Sequence, residues 1–231
     1  MFNYLLKYAR RKTDPISLLQ QLTKGSSEYR TLVHVGAHLG QERTNYESKG
    51  YQKILWIEGS EEIHAKLADS LRQHDGPAEH STACALLSDR DGEEIGLRCF
   101  SNDGMSNSIF APAEQLTSRW PTVKETGEIE MQRSVSLDRL LANTPFANDC
   151  DVLVVDVQGA ELLVLKGGLT TLSRVKAVVC EVSTVPYYEG GVLFKELNQF
   201  MESHGFHAMS TPRRHGDMLF MPKAAQSKLA A

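Results

Sequence analysis

Short, nearly uninterrupted apolar runs recur along this chain, separated by longer segments in which apolar residues return every three or four positions. Runs of this kind are typical of strands buried on both faces of a sheet. They lie at residues 31–35, 53–59, 81–88, 151–155, 175–183 and 216–223. A further strand is predicted at 93–100, after the turn DRDG.

The segments between these strands have helical periodicity. The clearest is SEEIHAKLADSLRQH at 60–74, where Ile63, Leu67 and Leu71 recur every four residues and share one face. Ser60, followed by two glutamates, is typical of a helix N-terminus. Further helices are predicted at 41–50, 160–168, 193–205 and, after a short strand, within 129–143. Strands that alternate with helices predict an α/β fold, with a mostly parallel sheet and helices on both faces.

Residues 101–127 show neither the apolar runs of strands nor the periodicity of helices, and they contain SNDGMSNS. They are therefore predicted to form a functional loop with one short helix. No repeat or low-complexity linker is visible, which indicates a single main domain. The predicted organisation is an N-terminal amphipathic helical segment at 1–28, the main domain at 29–223 and a disordered tail at 224–231.

Composition and charge agree with a soluble globular domain. Of the 231 residues, 41% are hydrophobic and 23% are charged, and the formal net charge of −4 gives no electrostatic bias toward nucleic acid. No apolar run reaches the ~20 residues of a membrane span. The four cysteines are widely spaced without a C-x-x-C pair, which argues against a zinc site or a disulfide scaffold and predicts a reducing, cytoplasmic location.

The N-terminus, MFNYLLKYARRKTD, does not have the order of a signal peptide, because its basic residues follow its apolar part. The favoured interpretation is an amphipathic helix packed on the domain. The alternative is a weak contact with a membrane surface or a partner, made by Lys7, Arg10, Arg11 and Lys12.

Glycines and polar side chains stand where the predicted strands end, which is the edge at which open α/β sheets bind their ligands. Carboxylates at such positions are costly to bury unless they are paired. In chain order these residues are Gly36, His38, Gly40, Glu58, Ser88, Asp89, Asp156, Gln158, Glu161 and Glu181.

Glu58 and the glycine turn together indicate a ligand that contains a nucleoside. Glu58 follows the turn by about twenty residues, where a carboxylate can accept hydrogen bonds from both ribose hydroxyls. The turn reads GAHLG at 36–40 and lacks the second glycine with which dinucleotide binders admit a pyrophosphate. A turn of this kind favours the amino-acid end of a cofactor over a diphosphate.

Five segments of the chain, taken in order, resemble the FkbM family of S-adenosylmethionine-dependent methyltransferases. They are VHVGAHLGQE, LWIEGSEEIHAKL, ALLSDRDG, SVSLDRLL and LVVDVQGAELLVLKGG, within about residues 31–222. The last is the most specific, since the family shows an Asp-x-Glu/Gln-Gly-x-Glu run followed by Leu-Lys-Gly.

The resemblance implies a Rossmann-like class I methyltransferase fold for residues 29–223, with a seven-stranded, mostly parallel sheet and an antiparallel last strand. It also implies S-adenosylmethionine as cofactor. The implied reaction is O-methylation of a hydroxyl group on a sugar, a glycan or another polyhydroxylated small molecule.

Two histidines depart from the family pattern. Many members have Asp at the position of His34, and an acid in this motif can help to bind the methionine part of the cofactor. His38 replaces the usual Asn and is expected to keep a polar contact with cofactor or substrate; a structural role is the alternative for each histidine. The predicted cofactor contacts are His34, Gly36, Ala37, His38, Gly40, Glu58, Gly59, Ser88, Asp89 and Asp156.

Methyl transfer to an alcohol depends on positioning and benefits from a general base. Asp156 is the first candidate for this base, followed by Glu181 and His38, although Asp156 could instead orient the cofactor or the substrate. Glu161 suits the dipole of the following helix as well as it suits the site. The predicted substrate contacts are Ser106, Asn107, Ser108, Tyr187 and Tyr188.

Other interpretations stay open at this level. Asp156 and Glu181 could share a divalent metal, but spacing reveals no third ligand, so no metal is predicted. A non-catalytic domain that binds S-adenosylmethionine or a partner stays possible because His34 departs from the family pattern. A nucleotide-dependent dehydrogenase that uses NAD is the third possibility, and the missing glycine counts against it.

Overall fold

The computed structural model describes residues 13–223, so the predictions for residues 1–12, including the four basic residues, and for the tail at 224–231 lie outside the described residues. The main sheet has seven strands in the order β3-β2-β1-β6-β7-β9-β8. Strand β9 is antiparallel to both of its neighbours, and the other pairs are parallel. The seven strands are β1 (Thr31–Val35), β2 (Lys53–Glu58), β3 (Glu79–Cys84), β6 (Val152–Val155), β7 (Ala177–Ser183), β8 (Phe206–Ala208) and β9 (His215–Pro222).

This order and the single antiparallel strand confirm the predicted α/β architecture. In the described part of the chain, the α-helices are α1 (Pro15–Leu22), α2 (Arg43–Ser48), α3 (Glu61–Arg72), α4 (Glu114–Arg119), α5 (Leu137–Leu141), α6 (Glu161–Lys166), α7 (Leu169–Leu172) and α8 (Phe194–Ser203). None of the described helices is long and apolar enough to cross a membrane.

Helices cover both faces of the sheet, which explains why its central strands are apolar without interruption. In β1, Val33 and Val35 face one core with α5, α6 and α8, whereas Leu32 faces the other with α1, α2 and α3. Full burial of such a side chain contributes about 1.5–3 kcal/mol.

The predicted strand at 93–100 forms, but it does not join the main sheet. Strands β4 (Glu94–Phe100) and β5 (Glu125–Arg133) form a separate antiparallel pair, joined by a loop that contains α4. The prediction that this loop contains one short helix is confirmed, and its functional role stays a prediction. The third strand of the main sheet ends at Cys84, so the prediction that it extends to Ser88 is wrong.

Candidate active site

A cavity of about 360 Å³ lies at the carboxyl ends of β1, β2 and β6, and the strand order of the sheet reverses between β1 and β6. Its volume falls in the range of small-molecule sites. The residues that line it are His34, Val35, Gly36, Ala37, His38, Gln41, Glu42, Ile57, Glu58, Gly59, Ala85, Leu86, Leu87, Leu97, Gly104, Met105, Asn107, Ile109, Asp156, Val157, Gln158 and Ala160.

The turn after β1 brings the backbone of the chain to the floor of this cavity. The amides of Gly36 and Ala37 both donate to the carbonyl of Ile57, at 2.9 and 3.0 Å. Gly36 has a φ of +81°, and a Cβ at this position would collide with the carbonyl oxygen of Asp156. Only glycine therefore fits between the ends of β1 and β6.

Glu58, at the end of β2, is 7% exposed and is held by two backbone amides. Its Oε2 accepts from the amide of His38 and its Oε1 from that of Ser60, each at 2.8 Å. Burial raises the pKa of Glu58, and these two hydrogen bonds oppose the shift. Because each oxygen keeps acceptor capacity, the carboxylate can still accept hydrogen bonds from a ligand.

His34 is buried and neutral. Its Nδ1 lies 3.1 Å from the hydroxyl of Tyr46, and its ring packs on the rings of Tyr46 and Trp56. Burial lowers the pKa of His34 to about 3. A histidine in this state cannot contribute the negative charge that an aspartate would have at the same position.

The His38 side chain connects the turn to the loop after β4. Gln41 Nε2, which can only donate, lies 2.6 Å from His38 Nδ1, so Nε2 carries the proton and donates to the carbonyl of Asp103 at 2.7 Å. Both ring nitrogens are therefore occupied by protein groups. This geometry gives His38 a structural contact, while its backbone amide holds Glu58.

Asp156 and Glu181 are joined by the amide of Gln158, whose Nε2 donates to Asp156 Oδ1 at 2.6 Å and to Glu181 Oε2 at 3.1 Å. Burial, followed by the charges of Asp217 and Glu161, raises the pKa of Asp156 to about 8. The pKa of Glu181 is raised as well, mainly by burial. Asp156 lines the cavity, whereas Glu181 lies behind Gln158.

Gln158 is held in a conformation that is unusual for a residue with a side chain. Its φ is +55°, in the left-handed region, and its carbonyl accepts from Ser108 Oγ at 2.7 Å. Its Oε1 accepts from the hydroxyl of Tyr188 at 2.8 Å. Strain of this kind persists where surrounding contacts enforce it, often at functional sites.

Two residues of β9 that the sequence reasoning missed lie next to Glu181. Asp217 faces Glu181 across the antiparallel pairing, and Nε2 of His215 lies 3.2 Å from its Oε1. Carboxylate oxygens of Asp156, Glu181 and Asp217 lie within 4.8 Å of one another, close enough to share a cation. Spacing alone did not reveal this third carboxylate because β9 comes late in the chain.

Several predicted site residues do not line the cavity. The early end of β3 makes Ala85 to Leu87 line it instead of Ser88 and Asp89. Tyr187 and Tyr188, predicted as substrate contacts, are buried in an apolar cluster with Phe100 and do not line the cavity. Also absent from the lining are Gly40, Glu181, Ser106 and Ser108.

Other lining residues were not predicted. Glu42 and Gln41 stand in the quoted motif VHVGAHLGQE, where the acidic side chain was the available signal. Leu97 of β4 and Met105 of the loop after β4 reach the cavity only through the tertiary fold.

The sheet order, with its antiparallel last strand, and the cavity at the carboxyl ends of the strands are those of a Rossmann-like class I methyltransferase fold. Residues 34–208, more than half of the chain, match the family described as Methyltransferase FkbM domain, and the chain belongs to this family. Its cofactor is S-adenosylmethionine. This assignment gives no support to the NAD-dependent alternative.

The chain is similar to several solved structures, with little sequence identity to any of them. An uncharacterized protein from Listeria monocytogenes serotype 4b is 10% identical, with a TM-score of 0.50 over 88% of this chain and 67% of that chain. Magnesium protoporphyrin IX methyltransferase from Synechocystis PCC 6803, with bound SAM, is 8% identical, with a TM-score of 0.47 over 90% of this chain and 77% of that chain. A putative tRNA (m1A22) methyltransferase from Streptococcus pneumoniae, in complex with S-adenosyl-L-methionine, is 12% identical. Its TM-score is 0.48 over 88% of this chain and 72% of that chain. No curated protein matches the chain.

The cavity has the chemistry that S-adenosylmethionine requires. Leu86 and Leu97 provide an apolar surface for a base, and Glu58 provides acceptors for hydroxyl groups. Glu42 and Asp156 place carboxyl groups on the same surface, and a bound cationic group would favour their charged forms. The described residues therefore fit this cofactor.

Proposed function

We propose that this chain is an O-methyltransferase that methylates a hydroxyl group of a sugar, a glycan or another polyhydroxylated small molecule. The observation that carries the proposal is the Asp156 carboxylate on the cavity wall, with a pKa raised to about 8. A base with a pKa near the working pH is well matched to accept the proton of an alcohol in the transition state.

In this proposal the described residues bind the cofactor and the acceptor, orient them for transfer of the methyl group and exclude water from the site. Asp156 accepts the hydroxyl proton of the acceptor, and Gln158 fixes the orientation of its carboxylate through the 2.6 Å hydrogen bond. Glu181 positions Gln158 from behind, and His38 acts through Glu58 and the loop instead of as a base. The negative charge near the methyl donor favours the sulfonium cofactor over its neutral thioether product.

The proposed cofactor contacts are the predicted residues on the cavity surface, with Glu58 accepting from the ribose hydroxyls. Gly40 acts indirectly, because its amide closes the turn onto the carbonyl of Ala37 at 2.9 Å. Ser88 and Asp89 also act indirectly, because they directly follow Leu86 and Leu87, which line the apolar end of the cavity. The directly contacting residues are His34, Gly36, Ala37, His38, Glu58, Gly59 and Asp156.

For the acceptor, we propose direct contact with Asn107, which lines the cavity in the loop after β4. Ser108 and Tyr188 support the same region, because both donate to Gln158, and the hydroxyl of Tyr188 also lies 3.2 Å from the carbonyl of Ser106. Tyr187 packs beside Tyr188 in the same apolar cluster.

The proposal is tested by turnover of methyl-labelled S-adenosylmethionine with a panel of monosaccharides, glycans, polyols, amines and RNA. Label that appears as a methyl ether on a hydroxyl-bearing acceptor supports the proposal. Label transferred to nitrogen, carbon or RNA instead overturns the assigned acceptor class. Cofactor binding without transfer to any acceptor would favour the non-catalytic alternative.

Replacing Glu58 with alanine is expected to weaken the binding of S-adenosylhomocysteine at least about tenfold, since a charge-assisted hydrogen bond is lost. Isothermal titration calorimetry measures the effect. Glu79→Ala is the control for the loss of a glutamate. Glu79 is exposed and begins β3, at the end of the strand away from the cavity. Equal affinity of the Glu58 variant and the unmodified protein would remove Glu58 from the cofactor site.

We propose that catalysis needs no metal ion, because the Gln158 amide already donates to both Asp156 and Glu181 and so occupies the position between the two carboxylates. Turnover is expected to change by less than about twofold after dialysis against a chelator, a change too small to indicate loss of a charge-stabilising ion. Restoration of lost activity by added Mg²⁺ or Mn²⁺ would contradict this expectation.

We also propose a cytoplasmic location. All four cysteines lie in the described range and are free thiols, which suits a reducing compartment.

A further inference from the structure

Glu42 is a carboxylate of the cavity whose side chain has no partner among the other residues that the structure describes. It directly precedes α2, lines the cavity and is half-buried. Within residues 13–223, its side chain makes no hydrogen bond or ion pair with any other residue. Burial raises its pKa, and a hydrogen bond to its own backbone amide is the main opposing effect.

The other two carboxylates that line the cavity are already held by protein groups. Glu58 accepts from two backbone amides, and Asp156 accepts from the amide of Gln158. A half-buried carboxylate without such a donor has a free-energy cost that a bound cation would offset. Glu42 is thus the carboxylate on this surface that is best placed to gain from a cationic ligand.

The order of the strands locates Glu42 along the cavity. Leu86, which follows β3, and Leu97 of β4 form the apolar end of the cavity. Glu58 comes next, at the end of β2. His34 of β1 and Asp156 after β6 lie toward the other end. A cofactor with its base at the apolar end and its ribose at Glu58 therefore extends its amino-acid part toward β1 and β6.

Glu42 belongs to this second end. The amide of Tyr46 donates to the Glu42 carbonyl at 3.0 Å, which places the two residues one helical turn apart on the same face. The hydroxyl of Tyr46 contacts His34, and the charge of Glu42 adds to burial in raising the pKa of Tyr46. The charge of Glu42 also contributes to the raised pKa of Asp156.

We propose that Glu42 binds the α-ammonium group of the methionine end of S-adenosylmethionine, and that it supplies the negative charge that the neutral His34 lacks. The proposal rests on the cofactor of the family and is independent of which acceptor is methylated.

The test compares two probes on the full chain by isothermal titration calorimetry. S-adenosylhomocysteine has the ammonium group, whereas 5′-methylthioadenosine has the same nucleoside and sulfur without the amino acid. Glu42→Gln is expected to weaken the binding of S-adenosylhomocysteine at least about tenfold, because a charge-assisted hydrogen bond is lost. The affinity for 5′-methylthioadenosine is expected to change by less than about twofold. Retained binding of the second probe also shows that the variant is folded.

Glu62→Gln removes the same charge from an exposed position on α3 and is expected to affect neither probe. An equal loss for both probes in Glu42→Gln, or no loss for S-adenosylhomocysteine, overturns the proposal. If Asp156→Asn instead shows the selective loss, the ammonium group binds at Asp156 and the proposal also fails. Since neither measurement uses an acceptor, failure here is separate from failure of the proposed O-methylation.

Discussion

Asp156→Asn is expected to lower the turnover number at least about a hundredfold, as for loss of a general base. The asparagine keeps the size of the side chain but cannot accept the hydroxyl proton. Cofactor affinity is expected to fall less, by under about tenfold, because Glu42 and Glu58 remain in place. Turnover is measured with labelled cofactor at saturating acceptor, and affinity by calorimetry.

Asp75→Asn is the matched control, since Asp75 is exposed and lies outside the cavity. Its turnover is expected to equal that of the unmodified protein. Unchanged turnover in Asp156→Asn would remove Asp156 from the role of base. An equal loss in affinity and turnover would assign it to cofactor binding instead.

Gly36→Ala is expected to lower the free energy of unfolding by roughly 2–6 kcal/mol and to abolish measurable cofactor binding. A left-handed φ in a residue with a Cβ costs about 1–3 kcal/mol. The added methyl group would also press on the carbonyl of Asp156, and overpacking of this kind costs about 1–3 kcal/mol more. Urea unfolding measures the loss of stability, and calorimetry measures the loss of binding.

Gly50→Ala separates the two contributions. Gly50 has a φ of +85°, but a Cβ there would meet nothing within 4 Å, so this variant has the backbone strain without the collision. It is expected to lose less stability than Gly36→Ala and to keep its cofactor affinity. Equal losses in the two variants would show that the close approach of β1 and β6 is unimportant.

Local sequence patterns predicted the elements around the site well where one period dominates. The strand at 31–35 and the helix that begins after Ser60 both form as expected, and Ser60 Oγ accepts from the amide of Ile63. The helix and its cap depend on contacts between near neighbours in the chain, and the strand is visible because burial on both faces makes it continuously apolar. The short strand Phe206–Ala208 was missed because three residues are too few to show a period.

The end of the third strand was predicted less well. STACALLS continues as an apolar run beyond Cys84, but pairing with β2 stops at Glu58, and Leu87 pairs instead with Val135. Apolar character persists in this segment because Leu86 and Leu87 are buried beside the cavity. Burial outside a strand and burial within one leave the same pattern in a sequence.

The sequence by itself determined the α/β class, the glycine turn, Glu58 and Asp156 at the strand ends, and through its motifs the family and the cofactor. Only the tertiary structure decided which side chains surround the cavity. It placed Gln158 between Asp156 and Glu181 and brought Asp217 from the last strand to the same carboxylates. Among residues 13–223 it left the Glu42 side chain without a partner in another residue. The physical reason is that strand-end positions and motifs depend on local order along the chain, whereas hydrogen-bond partners and burial depend on strands that meet only when the sheet has formed.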